Sequence, residues 1–414
     1  MRQHYLLHLC SIAALSAVAA CSDQNQPSAP DMPTDLARAQ GQSDDANALA
    51  RSVPGFGGFF YDAQGHPTMY LTSSTARGAA ERALAPYLQR HGLASSQIQT
   101  RPAAHSWDQL ERWHGRVSPS ALAIRGAVYV DADEALNRIT VGAERGAVGQ
   151  VRASLARLGL PADAVVVQEA APVTFAVGAP RPKPGTLSLQ GRVRPIVAGV
   201  QINFPGFLCS LGFNISGGFI TASHCTNVQG GNDGTPYWQP LQSTDPVKVA
   251  TEVADPNYTS GGTCPAGRRC RRSDSAKASY ANGIAATLGG IAQTARIGRS
   301  LTITGQWTVT GESVATVGQV VNKVGRTTGW SQGQVTNTCV DTNVSGSDIT
   351  QLCQNFVSAT VGSGDSGSPT FAITSGNNVT LVGILWGGSG SSSFVYSPMA
   401  NIHTDLGSFT VSSR

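Results

Sequence analysis

Gly218-Phe219-Ile220-Thr221-Ala222-Ser223-His224-Cys225 carries the reading of the fold. A short apolar run with strand character stops at a small-residue turn, and the turn presents a histidine beside a cysteine. Cys209 stands a short loop upstream. A Cys209–Cys225 disulfide would hold His224 in place, and closing such a loop stabilises by roughly 3 kcal/mol in the chain-entropy view. From about residue 196 onward long helical patterns are scarce. Val197–Ile202, Leu301–Thr304 and Val379–Ile384 are Val/Ile/Thr-rich runs set between Gly, Ser and Asn. Many short strands separated by turn residues predict a barrel or sandwich. The 47 glycines, concentrated in the C-terminal half, suit its tight turns.

The rest of the chain bounds what surrounds this region. At 414 residues, two or three folding units are expected. An apolar content of 41% supports real cores. With 13% charged residues, a net charge of +4 and no Lys/Arg stripe interleaved with aromatics, nucleic acid is not an expected partner. Arg2 followed by the apolar, small-residue run Tyr5–Ala20 reads as a signal peptide over residues 1–20, too short to span a membrane comfortably. Val18-Ala19-Ala20-Cys21 resembles a bacterial lipobox, which would lipidate Cys21 and tether the protein to a membrane. The alternative is ordinary cleavage near Ala20. Either way the protein is expected to be exported, as a bacterial cell-envelope lipoprotein or a secreted protein. Residues 21–50, with Pro27, Pro30 and Pro33, read as a disordered tether.

Export makes the cysteines informative. Cys209, Cys225, Cys264, Cys270, Cys339 and Cys353 all follow residue 208, and an even number in an oxidising compartment implies disulfides. The simplest pairing joins neighbours: 209–225, 264–270 and 339–353. Residues 51–175 contain no cysteine and read as a small α+β region. Gly57–Tyr61 and Thr68–Thr72 flank a hairpin turn, and Ala76–Gln89 reads as a helix that Pro86 would kink. Arg138–Val141 and Ala164–Val167 read as strands on either side of a helix at Val148–Leu158. Residues 176–195, rich in Pro and Arg, read as an exposed linker open to cleavage.

Acyl transfer by serine needs a hydroxyl on a tight turn, a neutral imidazole, a carboxylate to orient it, and backbone amides aimed at an oxyanion. Gly364-Asp365-Ser366-Gly367 offers Ser366 as nucleophile, with the Gly364 and Ser366 amides as oxyanion donors. Taken alone, this tetrapeptide could be a plain polar turn. His224 is the candidate base, and after residue 115 only His403 competes with it. Asp274, just past Cys264 and Cys270, is the candidate orienter, with Asp255 and Asp245 as competitors.

With these residues in hand, residues 196–414 resemble the chymotrypsin-like serine proteases, in the bacterial branch of alpha-lytic protease and the streptogrisins. The resemblance rests on the order His224, Asp274, Ser366, on the Cys209–Cys225 segment, on Val324-Gly325-Arg326-Thr327-Thr328-Gly329-Trp330, and on Gly383-Ile384-Leu385-Trp386-Gly387-Gly388. It implies two six-stranded antiparallel β-barrels in an all-β C-terminal domain, preceded by a small α+β pro-domain. It implies a serine endopeptidase that works through an acyl-enzyme on protein or peptide substrates, with no cofactor and no metal. The pro-region, residues 51–175, would serve as intramolecular chaperone and inhibitor, with cleavage in the Pro/Arg linker. Leu385, Trp386 and Gly387 would lie along a bound peptide, and Thr360 and Phe394 would line the primary pocket. No acidic residue is evident there, so neutral side chains are expected at the cleavage point. Two departures stand out: Ser368 replaces the usual second glycine, and Leu385 replaces a serine that often supports the catalytic carboxylate.

Two rival functions remain open at this point. Gly329-Trp330-Ser331-Gln332-Gly333 matches the Gly-x-Ser-x-Gly elbow of α/β-hydrolase esterases, and Asp341 or Asp348 and His403 follow in that order. That elbow requires a helix after the serine, whereas Gln334–Cys339 is strand-like. The other rival is a non-catalytic peptide-binding surface protein on the protease fold, which would not need all three triad residues.

Overall fold

The computed structural model describes residues 45–178, 187–298 and 300–412. The signal peptide, Cys21, nearly all of the 21–50 tether and the middle of the 176–195 linker lie outside the described residues.

Gly218–Thr221 is a fully buried strand, paired antiparallel with Phe213–Ile215 on one side and Ala276–Tyr280 on the other. These three belong to a seven-stranded antiparallel sheet with Gln201–Phe204, Phe207–Ser210, Pro236–Trp238 and Lys248–Ala254. Phe207–Ser210 and Phe213–Ile215 form one run of chain broken at Gly212. A Cβ at Gly212 would stand 2.6 Å from the Ile220 carbonyl oxygen and 2.8 Å from that of Gly367. Only glycine allows this strand to pass so close to the turn that carries Ser366. Counted as one broken strand, the pair brings the first barrel to the expected six.

The second barrel closes on itself. Ile349–Val357, Ser393–Pro398, Asn378–Ser389, Pro369–Ser375, Val320–Gly325 and Gly329–Asn343 pair in that order, and the last pairs back with the first. All six contacts are antiparallel, and because the last strand pairs with the first the ring has no free edge. Phe371, Ile384 and Trp386 are fully buried within the core the barrels share. Burial of side chains this size is worth about 1.5–3 kcal/mol each.

The N-terminal region is α+β, as its sequence suggested. Phe56–Tyr61 and Pro67–Leu71 form the hairpin, and Gln99–Pro102 adds a parallel strand. Helices cover Arg77–Arg90, with Pro86 inside, and Val148–Ala156. A helix at Trp107–Leu122 and a strand at Ala127–Asp133 were not read from the sequence. The helix buries Trp107, Leu110, Trp113, Val117 and Ala121 along one face. Gly115 and Pro119 interrupt its propensity, and tertiary packing outweighs them. Ala127–Asp133, Arg138–Ala143 and Val165–Glu169 do not form a separate sheet. Ala127–Asp133 pairs antiparallel with Gly329–Asn343, matching Val130 with Asp341 and Tyr129 with Thr342. The N-terminal sheet thus continues the second barrel. Part of the linker is packed as well, since Leu189 is fully buried and shares backbone hydrogen bonds with Leu301 and Gln201.

Candidate active site

The turn after Thr221 is a short 3-10 segment, Ser223–Cys225, and the Cys209–Cys225 disulfide ties it to the neighbouring strand. His224 sits on that turn. Its Nε2 lies 2.7 Å from Ser366 Oγ, and its Nδ1 is hydrogen-bonded to Asp274 Oδ2. Asp274 also accepts from the His224 amide at 3.2 Å. Three residues separated by 50 and 92 positions along the chain therefore meet in one hydrogen-bonded row at the junction of the barrels. The two competing aspartates are engaged elsewhere. Asp255 accepts from Arg271 at 2.6 Å and from Ser223 at 2.8 Å, while Asp245 pairs with Arg192 at 2.8 Å.

Asp274 is fully buried. Burial alone would raise its carboxyl, but the His224 charge and hydrogen bond, Arg271 and Tyr258 together outweigh it and hold the group below its ordinary range. Leu385 offers it no donor. Instead Tyr258 Oη and Gln229 Nε2 each donate to Oδ1 at 3.1 Å, and Ser397 Oγ accepts from the Asp274 amide at 2.9 Å. Tyr258 and Gln229 were not singled out in the sequence, because they reach Asp274 from loops 16 and 45 residues away.

The Gly364–Gly367 turn is held by the aspartate inside it. Asp365 accepts from Lys323 Nζ at 2.8 Å and from the amides of Thr327, Thr328 and Gly362. Gly364 has a φ of +101°, a backbone region that side chains rarely adopt. In this conformation the Gly364 and Ser366 amides converge on one acceptor.

That acceptor is the carbonyl oxygen of Ala176, which takes a hydrogen bond from Gly364 N and a longer one, 3.4 Å, from Ser366 N. Thr174–Phe175 pairs antiparallel with Gly388 and Gly387, and the Ala176 amide donates to the Trp386 carbonyl at 3.2 Å. The Phe175 ring stacks on His224 with centroids 4.3 Å apart. Ala176 is buried in an apolar cluster with Ala359, Val361, Leu385 and Phe394. Thr360, expected in the pocket, is exposed, and its carbonyl accepts from Ser331 Oγ at 2.8 Å. Val361, one residue on, joins the cluster in its place.

The cysteines are joined 209–225, 264–270 and 339–353. Cys209, Cys225 and His224 bring metal-ligating atoms together, but the two sulfurs are bonded to each other and the imidazole faces Asp274 and Ser366. The esterase elbow does not form: Ser331 lies inside the strand Gly329–Asn343, opposite Lys323, with no helix after it. His403 is bonded to Glu312, far from that serine in the chain and in its contacts.

No family model matches the chain. Streptogrisin-A from Streptomyces griseus is 29% identical over 254 residues, covering 59% of this chain and 70% of that protein. Among solved structures, a chymotrypsin from Cellulomonas bogoriensis matches 53% of this chain and 99% of its own at 23% identity, with a TM-score of 0.39. Alpha-lytic protease homolog N4 matches 52% of this chain and 98% of its own at 18% identity, with a TM-score of 0.36. The sequence likeness to streptogrisin-A joins a two-barrel fold whose junction holds serine, histidine and aspartate in one row, and together they support a chymotrypsin-like serine protease similar to the streptogrisin and alpha-lytic protease branch.

Proposed function

We propose that this serine endopeptidase cleaves peptide bonds through His224, Asp274 and Ser366 by way of an acyl-enzyme. The observation that carries the reading is the Ala176 carbonyl oxygen held by the Gly364 and Ser366 amides while His224 Nε2 sits 2.7 Å from Ser366 Oγ. Ser366 Oγ attacks a peptide carbonyl as His224 takes its proton. Asp274 fixes the imidazole tautomer and stabilises the imidazolium. The two amides stabilise the oxyanion, and removing one such donor typically costs about 10²–10³ in kcat. The amine leaves with the proton from His224, and water then hydrolyses the ester. None of these steps calls for a metal or an organic cofactor.

The apolar surroundings of Ala176 support cleavage after small neutral residues. The seating of residues 173–178 supports a pro-region, about 51–175, that inhibits the enzyme from within the same chain. The export signal supports action outside the cytoplasm, with Cys21 as the proposed lipid anchor. A non-catalytic binding protein would have no use for the complete row of three residues.

An organophosphonate probe tests the scheme. Labelling at Ser366 in processed protein, lost in Ser366→Ala along with peptide hydrolysis, is the expected outcome. Undiminished hydrolysis by Ser366→Ala refutes it.

A further inference from the structure

Val173–Gly178 runs through the groove with backbone contacts on both sides of a single peptide bond. Upstream, Thr174 and Phe175 pair with Gly388 and Gly387, and the Ala176 amide donates to Trp386. At the bond itself, the Ala176 carbonyl faces the Gly364 and Ser366 amides. Downstream, Gly178 exchanges both backbone hydrogen bonds with Leu208, at 2.9 and 3.2 Å. Among the described residues, Ala176–Val177 alone is gripped in this way.

The residue types suit the grip. A Cβ at Gly387 would stand 2.7 Å from the Thr174 carbonyl oxygen, so glycine there admits the paired strand. A Cβ at Gly178 would meet Gly364 N and Cα and the Ser363 carbonyl oxygen at 3.0 Å, so the groove floor is tight and the chain supplies its smallest residue. Val173-Thr174-Phe175-Ala176-Val177-Gly178 contains no proline and no charge. Arg194 is bonded to Gln239 and Val193, on the first barrel.

We propose that Ala176–Val177 is a self-cleavage site, cut by the Ser366 of the same chain, so that the mature enzyme begins at Val177. The proposal rests on the peptidase reading above. Ser366 Oγ forms an ester with the Ala176 carbonyl carbon, and its proton passes to His224. The carbon–nitrogen bond to Val177 breaks, and that proton goes to the departing amine. Water then attacks the ester, returning a proton to Ser366 Oγ and leaving a carboxylate on Ala176. Because bond and nucleophile are held together before reaction, the cut is intramolecular. Residues 177–195 stay with the protease domain, to which Leu189 and Arg194 already bind. The upstream fragment stays paired along Gly329–Asn343 until that seam opens.

The test follows the full-length chain over time by mass spectrometry of its termini. The earliest product is expected to begin at Val177, at a first-order rate unchanged by hundredfold dilution. Ser366→Ala stays uncut at this bond. Ala176→Arg slows the cut by at least about tenfold, whereas Ala176→Ser leaves it near the parent rate. Protein that labels at Ser366 with an organophosphonate, yet starts elsewhere at the earliest times, overturns this inference and leaves the peptidase reading standing. So does a rate that falls in proportion to dilution. Protein that neither labels at Ser366 nor cuts itself or a peptide overturns both.

Discussion

Lys323 Nζ lies 2.8 Å from a carboxylate oxygen of Asp365, and neither side chain reaches solvent. Burial raises the Asp365 carboxyl, but the Lys323 ammonium and the donors from Thr328 and Thr327 outweigh it, so the group sits below its ordinary range. Burial in turn pulls the ammonium below its usual value, against the attraction of Asp365. We take the pair as charged near neutrality, because the several donors converging on Asp365 need an anion. Asp365 stands between the two residues whose amides hold the Ala176 carbonyl. Lys323→Met leaves that carboxylate buried without its cation, a loss of about 3–5 kcal/mol. A matching fall in thermal stability, with kcat/KM down at least about tenfold, is the expected result. Adding Asp365→Asn should return much of the stability but not the rate. Because the folded carboxyl is depressed, its contribution is present above 3.8, the ordinary carboxylate value, and is lost as the pH falls below it. Melting curves across that range, with and without Lys323, read the effect.

The seam between the N-terminal region and the second barrel holds an unusual set of acids. Asp131, Asp133 and Glu134 are buried there. Facing them on the barrel side, Asn337 donates to Asp131 at 2.8 Å and Thr338 to Glu134 at 2.7 Å. The Trp107–Leu122 helix adds His114 and Ser118, both directed at Asp341 of the same barrel strand. Burial, then neighbouring acids, raises Asp131, while burial pushes Glu134 up to about 8. Between 4.5, the ordinary value for Glu134, and that raised value, the folded protein binds more protons than the unfolded chain. Stability therefore falls as the pH rises through this window. In an uncut Ser366→Ala background, the melting temperature is expected to drop by about 5 °C or more from about pH 5 to about pH 8. Glu134→Gln should flatten the slope. A pH-independent melt would dispose of the idea.

Tyr258 gives Asp274 a hydrogen bond at 3.1 Å and is itself held by Gln351 at 2.8 Å and by the Arg271 guanidinium, 4.8 Å from its ring centre. A hydrogen bond to a charged acceptor is worth about 1.5–3 kcal/mol. Tyr258→Phe keeps the ring packing and removes only the donor. It should lower kcat about tenfold with KM little changed, since the imidazolium forms only as the reaction proceeds. Equal kcat in the two proteins would make Tyr258 a packing residue.

His224 and Ser366 sit in turns whose local composition announces them, and Asp274 follows a cysteine pair. Strand runs such as Gly218–Thr221 alternate with turn residues and so declare the barrels. Tyr258, Gln229 and Lys323 act over distance, through loops or from a strand interior, and no local pattern distinguishes them from other buried polar side chains. The groove was legible on one wall only. Gly383–Gly388 stands out in the sequence as a strand, and it pairs with Thr174 and Phe175, but nothing in Val173–Gly178 looks different from a short apolar loop until the barrel places Gly364 beside it. The pairing of Ala127–Asp133 with Gly329–Asn343 joins strands about 200 residues apart, which no short-range periodicity encodes.

The apolar cluster around Ala176 predicts which peptides are cleaved fastest. Ala359, Val361, Leu385 and Phe394 share its apolar cluster. The two carboxylates of the site are engaged elsewhere, Asp274 with His224 and Asp365 with Lys323. A guanidinium seated where the Ala176 methyl lies would lose its water and gain no anion, at a cost of several kcal/mol. Upstream, the Phe175 ring covers His224 and meets Trp386 with centroids 5.9 Å apart, so a substrate with an aromatic residue at this position is expected to shield the imidazole from water. Chromogenic peptides ending in Thr-Phe-Ala should be cleaved with kcat/KM at least about a hundredfold above those ending in Thr-Phe-Arg. Replacing the phenylalanine by glycine should lower kcat/KM about tenfold, because the stacking contact is lost. A preference for the arginine peptide would mean that the cluster opens to admit a charge, and the assignment of this pocket would fall.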